Sequence, residues 1–249
     1  LSKEVGQGTT YEGKIFEIGN NTGEITNIGQ IQTVANLIQL STICKVGTKI
    51  YAIESSYVPA PNTLIIYDQL TGNTTTQHLI LPLSISSTMM DPFITKLEYN
   101  GSWLVAILSE NMPSDSHPNK MVSINLQNLQ TTDLDINFFQ SGLTSTELIN
   151  NKLYVSTRTD GLLAIDLTAK TVTEIQANSS QINGTRLVNL GNSKLGFMKF
   201  GAYQVVNGVV PFEFNLNNNS LTDKSGGNIF AVGNITGGTI FHNEEYLNI

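Results

Sequence analysis

Apolar and polar residues alternate along most of the chain, and the alternation breaks repeatedly at Gly, Asp or Asn. Lys14–Ile28 reads KIFEIGNNTGEITNI, and Leu64–Leu79 reads LIIYDQLTGNTTTQHL. Met121–Ile136 reads MVSINLQNLQTTDLDI, Leu162–Ile175 reads LLAIDLTAKTVTEI, and Pro211–Lys224 reads PFEFNLNNNSLTDK. Each is an alternating run, a turn residue, a polar turn and a second alternating run. That pattern predicts two strands joined by a tight connection. The turn slot holds Gly19, Asp68, Asn125, Asp166 and Asn215, all suited to a turn or a strand end.

The slots are 49, 57, 41 and 49 residues apart. Two further strand-like runs lie between successive copies. In the shortest unit they are Thr146–Asn150 and Leu153–Thr157, turned by Asn150–Asn151. The others are Leu37–Val46 with Ile50–Ser55, Ile94–Tyr99 with Trp103–Leu108, and Arg186–Leu190 with Leu195–Phe200. A unit is therefore four antiparallel strands, the content of a β-propeller blade, and the period fits blades better than helical repeats. The expected blades are 37–79, 94–136, 146–175 and 186–224. A fifth is expected to combine 14–28 from one end of the chain with 229–249 from the other, closing the ring and removing two sheet edges. The expectation is one all-β domain over 1–249. Nowhere is the i, i+3, i+4 spacing of a helix sustained over three turns. Leu1–Thr10 is polar and expected to fray.

LLAIDLTAKTVTEI and LIIYDQLTGNTTTQHL resemble the repeats of YVTN-type and quinoprotein-type propellers, with an apolar strand ending in Asp before a Thr-Gly-like turn. The resemblance spans all five units at strand level and is sharp in these two. It implies the propeller fold and transfers no catalytic residue. Trp103 is the only tryptophan, whereas quinoprotein blades usually dock through repeated tryptophans.

Composition narrows the function. Of 249 residues, 40% are hydrophobic and only 13% charged, about half the usual quarter. Asn, Gln, Ser and Thr supply the polarity. Net charge is −7, and the 13 Lys and Arg form no run, which argues against nucleic-acid binding and an electrostatic membrane patch. Cys44 is the only cysteine, so an intrachain disulfide and a cysteine metal cluster are excluded; it reads as a buried small hydrophobe. No apolar run reaches transmembrane length, and no signal peptide opens the chain.

In a propeller, second-to-third-strand and blade-to-blade connections open on one face, and the other turns on the opposite face. Here the first set is expected to be long: Ser55–Thr63, Pro82–Pro92, Ser109–Asn119, Asn137–Ser145 and Gly201–Asn207. The other set is short: Leu70–Gly72, Asn100–Gly101 and Asn150–Asn151. Function concentrates on long loops carried by a rigid scaffold. These carry Tyr57, Met89, Met90, Phe93, Met112, Phe138, Phe139 and Tyr203, a candidate apolar patch for a protein partner. Each of these residues could instead pack down over its own blade.

Catalytic motifs are sparse. His78, His117 and His242 show no metal-ligand spacing, and Asp115 with His117 forms a possible acid–base pair or a self-bonded loop. No GxSxG elbow occurs. Glu98, Glu147, Asn189 and Asn228 are the nearest candidates for a channel calcium of the kind some propeller lactonases hold. Asp133/Asp135 and Glu244/Glu245 read as solvated faces. Seven Asn-x-Ser/Thr sequons begin at Asn20, Asn73, Asn100, Asn178, Asn183, Asn218 and Asn234. The expectation is a non-catalytic protein-binding scaffold without a cofactor, in an extracytoplasmic assembly of bacterial type. The rival is a calcium-dependent, lactonase-like hydrolase.

Overall fold

The structure, a computed structural model, describes residues 2–4, 11–18, 25–33, 39–55, 62–110, 118–139, 143–157, 161–176, 186–203, 206–224, 230–231, 239–240 and 247–248. Side chains are described for 42–54, 62–110, 118–139, 143–157, 161–175, 187–197 and 211–224. The chain forms two compact units, Leu1–Phe139 and Gln140–Ile249.

In the first unit, β1 (Ser2–Glu4), β2 (Tyr11–Ile18) and β3 (Ile25–Thr33) form an antiparallel sheet. Next come β4 (Gln39–Val46), β5 (Lys49–Ser55), β6 (Thr63–Asp68) and β7 (Thr74–His78), paired antiparallel in chain order. A single-turn helix, α1 (Leu83–Ser86), precedes a second such sheet of β8 (Phe93–Tyr99), β9 (Trp103–Ser109), β10 (Asn119–Asn125) and β11 (Thr131–Phe138). The second unit repeats the plan. Its first sheet is β12 (Leu143–Ile149), β13 (Lys152–Thr157), β14 (Leu162–Asp166) and β15 (Thr171–Gln176). Its second is β16 (Arg186–Gly191), β17 (Lys194–Tyr203), β18 (Val206–Asn215) and β19 (Ser220–Asp223).

Three features differ from the sequence reading. First, β20 (Phe230–Ala231) pairs with Gly208–Val209 of β18, and β21 (Thr239–Ile240) pairs with β22 (Leu247–Asn248). Second, Gly201–Asn207 is not a long loop: β17 and β18 stay in register to Tyr203↔Val206. Third, α1 is a helix where none was expected. One turn is too short for a 3.6-residue period to show. It is held by buried Ile85 and by the hydroxyls of Ser87 and Thr88, which donate back to Leu83 O and Ser84 O at 2.6 Å each.

The turn slot recurs as local chemistry. Asp68 Oδ1 accepts the N–H of Leu70 at 2.9 Å, Asn125 Oδ1 that of Gln127 at 2.8 Å, Asp166 Oδ1 that of Thr168 at 3.0 Å, and Asn215 Oδ1 that of Asn217 at 2.9 Å. Four residues after each slot the backbone is left-handed, at Gly72 (φ 70), Leu129 (φ 57), Lys170 (φ 54) and Asn219 (φ 55). Gly19, the fifth slot, lies outside the described residues.

Each second strand is buried on both faces, as Leu104–Leu108 of β9 and Leu153–Thr157 of β13 show. In the first unit, Tyr51, Ile53 and Leu64 of one sheet pack with Leu104, Ala106, Leu108, Val122 and Ile124 of the next. In the second unit, Tyr154 and Leu162 pack with Leu195, Phe197, Phe212 and Phe214. Phe197 and Phe212 stack with centroids 5.7 Å apart. A hydroxyl stitches each pair of sheets. Thr42 Oγ1 accepts the N–H of Leu97 at 3.1 Å, and Ser145 Oγ accepts that of Leu187 at 2.9 Å. Register makes these one repeated contact: Thr42 faces Ile53 and Ser145 faces Ser156, at the same step of their second strands.

Candidate functional site

In every four-stranded sheet the first-to-second and third-to-fourth strands join through tight turns. The remaining connections emerge at the opposite end, termed here the connection end. In the first unit 79–92 is described throughout, and Asn62, Glu110 and Pro118 are described at the strand ends flanking two others.

Buried polar groups anchor the bases of these connections. Asn62, 7% exposed, donates from Nδ2 to Pro92 O at 2.9 Å and accepts the N–H of Ile94 at 2.8 Å. Glu110 Oε1, also on a 7% exposed residue, accepts the N–H of Met90 at 2.9 Å. Asn119 accepts from Ser109 Oγ at 2.6 Å and donates to Phe138 O at 3.4 Å. The 79–92 segment is tied to its sheet a second time. Ser84 Oγ donates to Asp133 Oδ2 at 2.6 Å, Lys120 Nζ donates to Thr88 Oγ1 at 2.6 Å, and Thr131 donates to Ile80 O.

The apolar candidates divide. Met89 and Phe138 are buried and Phe93 is partly buried, whereas Met90 is 68% and Phe139 61% exposed. Tyr57, Met112 and the Tyr203 side chain lie outside the described residues. Ile80 and Leu83, both 79% exposed, were missed by the sequence reading because HLILPL reads as a strand running into its own sheet. Met89, Ile85 and Leu79 of the same segment point into the core.

Of the metal candidates, Glu98 and Glu147 are partly buried and occupy the same step of β8 and β12, opposite Val105 and Tyr154. Asn189 Oδ1 accepts the N–H of Gly191 at 2.8 Å, and Asn228 lies outside the described residues. Among the described residues no three His, Cys, Asp or Glu side chains form a metal-sized group. His78 is exposed; Asp115, His117, His242 and the Glu244/Glu245 pair lie outside the described residues. Cys44 is buried, as expected.

One carboxylate stands apart. Glu54, at the end of β5, takes the strand step that Leu108 takes in β9 and Thr157 in β13. Its Oε1 is buried and has no hydrogen-bond partner. Burial pushes its carboxyl above the usual range. Composition and spacing give no sign of this, because Glu54 reads as the polar end of an alternating run.

No protein-family model and no curated protein matches the chain. By fold, 487 chains of solved structures match it, so the architecture is common and names no single function. One is a 6-phosphogluconolactonase-like protein of Bacteroides uniformis, with a TM-score of 0.55 and 13% identity, covering 97% of this chain and 84% of that one. Its fold is of the propeller type, and the four antiparallel four-stranded sheets fit it. The fold is propeller-like. Another match is the computationally designed Ika4 protein, with a TM-score of 0.40 and 9% identity, covering 79% of this chain and 92% of that one. Among the described residues no helix is long and apolar enough to cross a membrane.

Proposed function

We propose that the chain is a non-catalytic propeller scaffold that holds a protein partner at its connection end, in an extracytoplasmic assembly. One observation carries the binding proposal. Four of the six large apolar side chains exposed among the described residues, Ile80, Leu83, Met90 and Phe139, lie on connections at the connection end, whereas Leu70 lies in a tight turn and Leu190 on β16. Asn62, Glu110 and Asn119 fix the bases of those connections, so little order remains to be imposed on contact. The weakly charged surface, 13% Asp, Glu, Lys and Arg, supports the extracytoplasmic placement. The test is affinity capture from the native source with wild type and with a Met90→Ser/Phe139→Ser double variant. A partner retained by wild type and lost by the variant supports the reading; equal capture by both overturns it. Phe138 is unsuited to this test because it is buried.

A second reading, a calcium-dependent lactonase-like hydrolase, draws on the unpartnered oxygen of Glu54 and on the lactonase-like protein of the same fold. It predicts a rise in melting temperature on adding calcium, reversed by EDTA and abolished in Glu54→Gln. No shift with calcium contradicts it.

A further inference from the structure

We propose that Asn73, Asn100 and Asn218 are N-glycosylation sites, an inference that rests on the extracytoplasmic placement above. Each begins an Asn-x-Ser/Thr sequon and sits in a tight turn of its own sheet, between β6 and β7, β8 and β9, and β18 and β19 respectively. Asn73 and Asn218 are exposed and Asn100 is partly exposed; the hydroxyl residues two steps on, Thr75, Ser102 and Ser220, are all exposed.

Local hydrogen bonding favours the acceptor role. Asn100 Oδ1 accepts the N–H of Ser102 at 3.0 Å, and Asn218 Oδ1 accepts the N–H of Ser220 at 3.1 Å. Each bond folds the carboxamide toward its own hydroxyl residue and occupies the oxygen. The amide Nδ2 of all three asparagines donates to no protein atom. Asn62, Asn119 and Asn151 differ. Their Nδ2 atoms donate to Pro92 O at 2.9 Å, Phe138 O at 3.4 Å and Thr168 Oγ1 at 2.6 Å, and none begins a sequon. The amides that the fold uses and the amides open to modification are thus separate sets. The sequons at Asn20, Asn178, Asn183 and Asn234 lie outside the described residues.

The donor class is an oligosaccharide carried on a polyprenyl pyrophosphate, with transfer catalysed by a membrane transferase. The Nδ2–C1 bond forms as the C1–O bond to pyrophosphate breaks. The lipid pyrophosphate leaves with the bonding pair, and a transferase carboxylate takes the Nδ2 proton. No electron transfer is involved. The product carries a neutral, hydrated group at a turn.

The test is peptide mass spectrometry of the protein from its native source after cell fractionation. The expected result is a sugar on the peptides containing Asn73, Asn100 and Asn218 and none on those containing Asn62, Asn119 or Asn151. Thr75→Val, Ser102→Ala and Ser220→Ala should each remove one glycan while the asparagine remains. If protein recovered outside the cytoplasm carries all three sites unmodified, this proposal falls and the placement stands. If the protein is recovered unmodified inside the cytoplasm, both fall.

Discussion

Ser193 has φ 57 and follows Asn192 at φ 51 in the two-residue turn between β16 and β17. Left-handed backbone costs an L-residue with a Cβ roughly 1–2 kcal/mol, whereas glycine adopts it freely, and Asn-Gly is the favoured pair in such a turn. Ser193→Gly is expected to stabilise the protein by about 1 kcal/mol in urea unfolding. Glu54 makes the opposite kind of statement. Its carboxyl titrates higher in the fold than in the unfolded chain, so stability falls as pH rises from the ordinary carboxylate range through the raised value. Glu54→Gln should therefore gain stability over wild type at pH 7 and gain little at pH ~3, below the ordinary carboxylate range, where wild type is protonated in both states. Asp166 and Glu213 behave in reverse. The N–H of Ala169 holds the Asp166 carboxyl below its usual range, and a hydrogen bond from Lys194 Nζ, 3.0 Å away, does the same for Glu213. Their contribution is present above the ordinary carboxylate range and is lost as pH falls through the lowered values.

Within each unit, sheets are joined by contacts that a strand pattern does not announce. Thr42 and Ser145 each satisfy a backbone N–H of the following sheet, Leu97 or Leu187. Thr42→Val or Ser145→Ala leaves that N–H without its acceptor, at an expected cost of about 1–3 kcal/mol in urea unfolding. The antiparallel four-strand units and their turns were legible because alternation has a period of two and the slots Asp68, Asn125, Asp166 and Asn215 bond their own following backbone. The anchors were not legible. Asn62 resembles any loop asparagine in sequence, and only its position between β5 and β6 brings it to Pro92 and Ile94. The same holds for the patch. Met89 and Met90 are neighbours in sequence, yet one is buried and the other exposed, because Glu110 fixes the backbone at Met90. Phe138 and Phe139 divide for a simpler reason: β11 ends between them.

In the first unit, tight turns end each four-stranded sheet on one side, and Asn62, Glu110 and Asn119 anchor connections on the other. The partner-binding proposal depends on that asymmetry. Leu70, 79% exposed, lies in the tight turn after Asp68 and is the natural control. Phe138→Ser should lose about 3–5 kcal/mol of stability, because it empties a buried aromatic site. Met90→Ser, Phe139→Ser and Leu70→Ser should each stay within about 0.5 kcal/mol of wild type by thermal unfolding. The most direct measurement is quantitative capture of partner from the native source by wild type, Leu70→Ser, and Met90→Ser/Phe139→Ser at matched concentration. The account predicts equal capture by the first two and at least tenfold less by the third, about 1.4 kcal/mol of lost binding. Capture by the double variant equal to wild type, or a loss confined to Leu70→Ser, would contradict it.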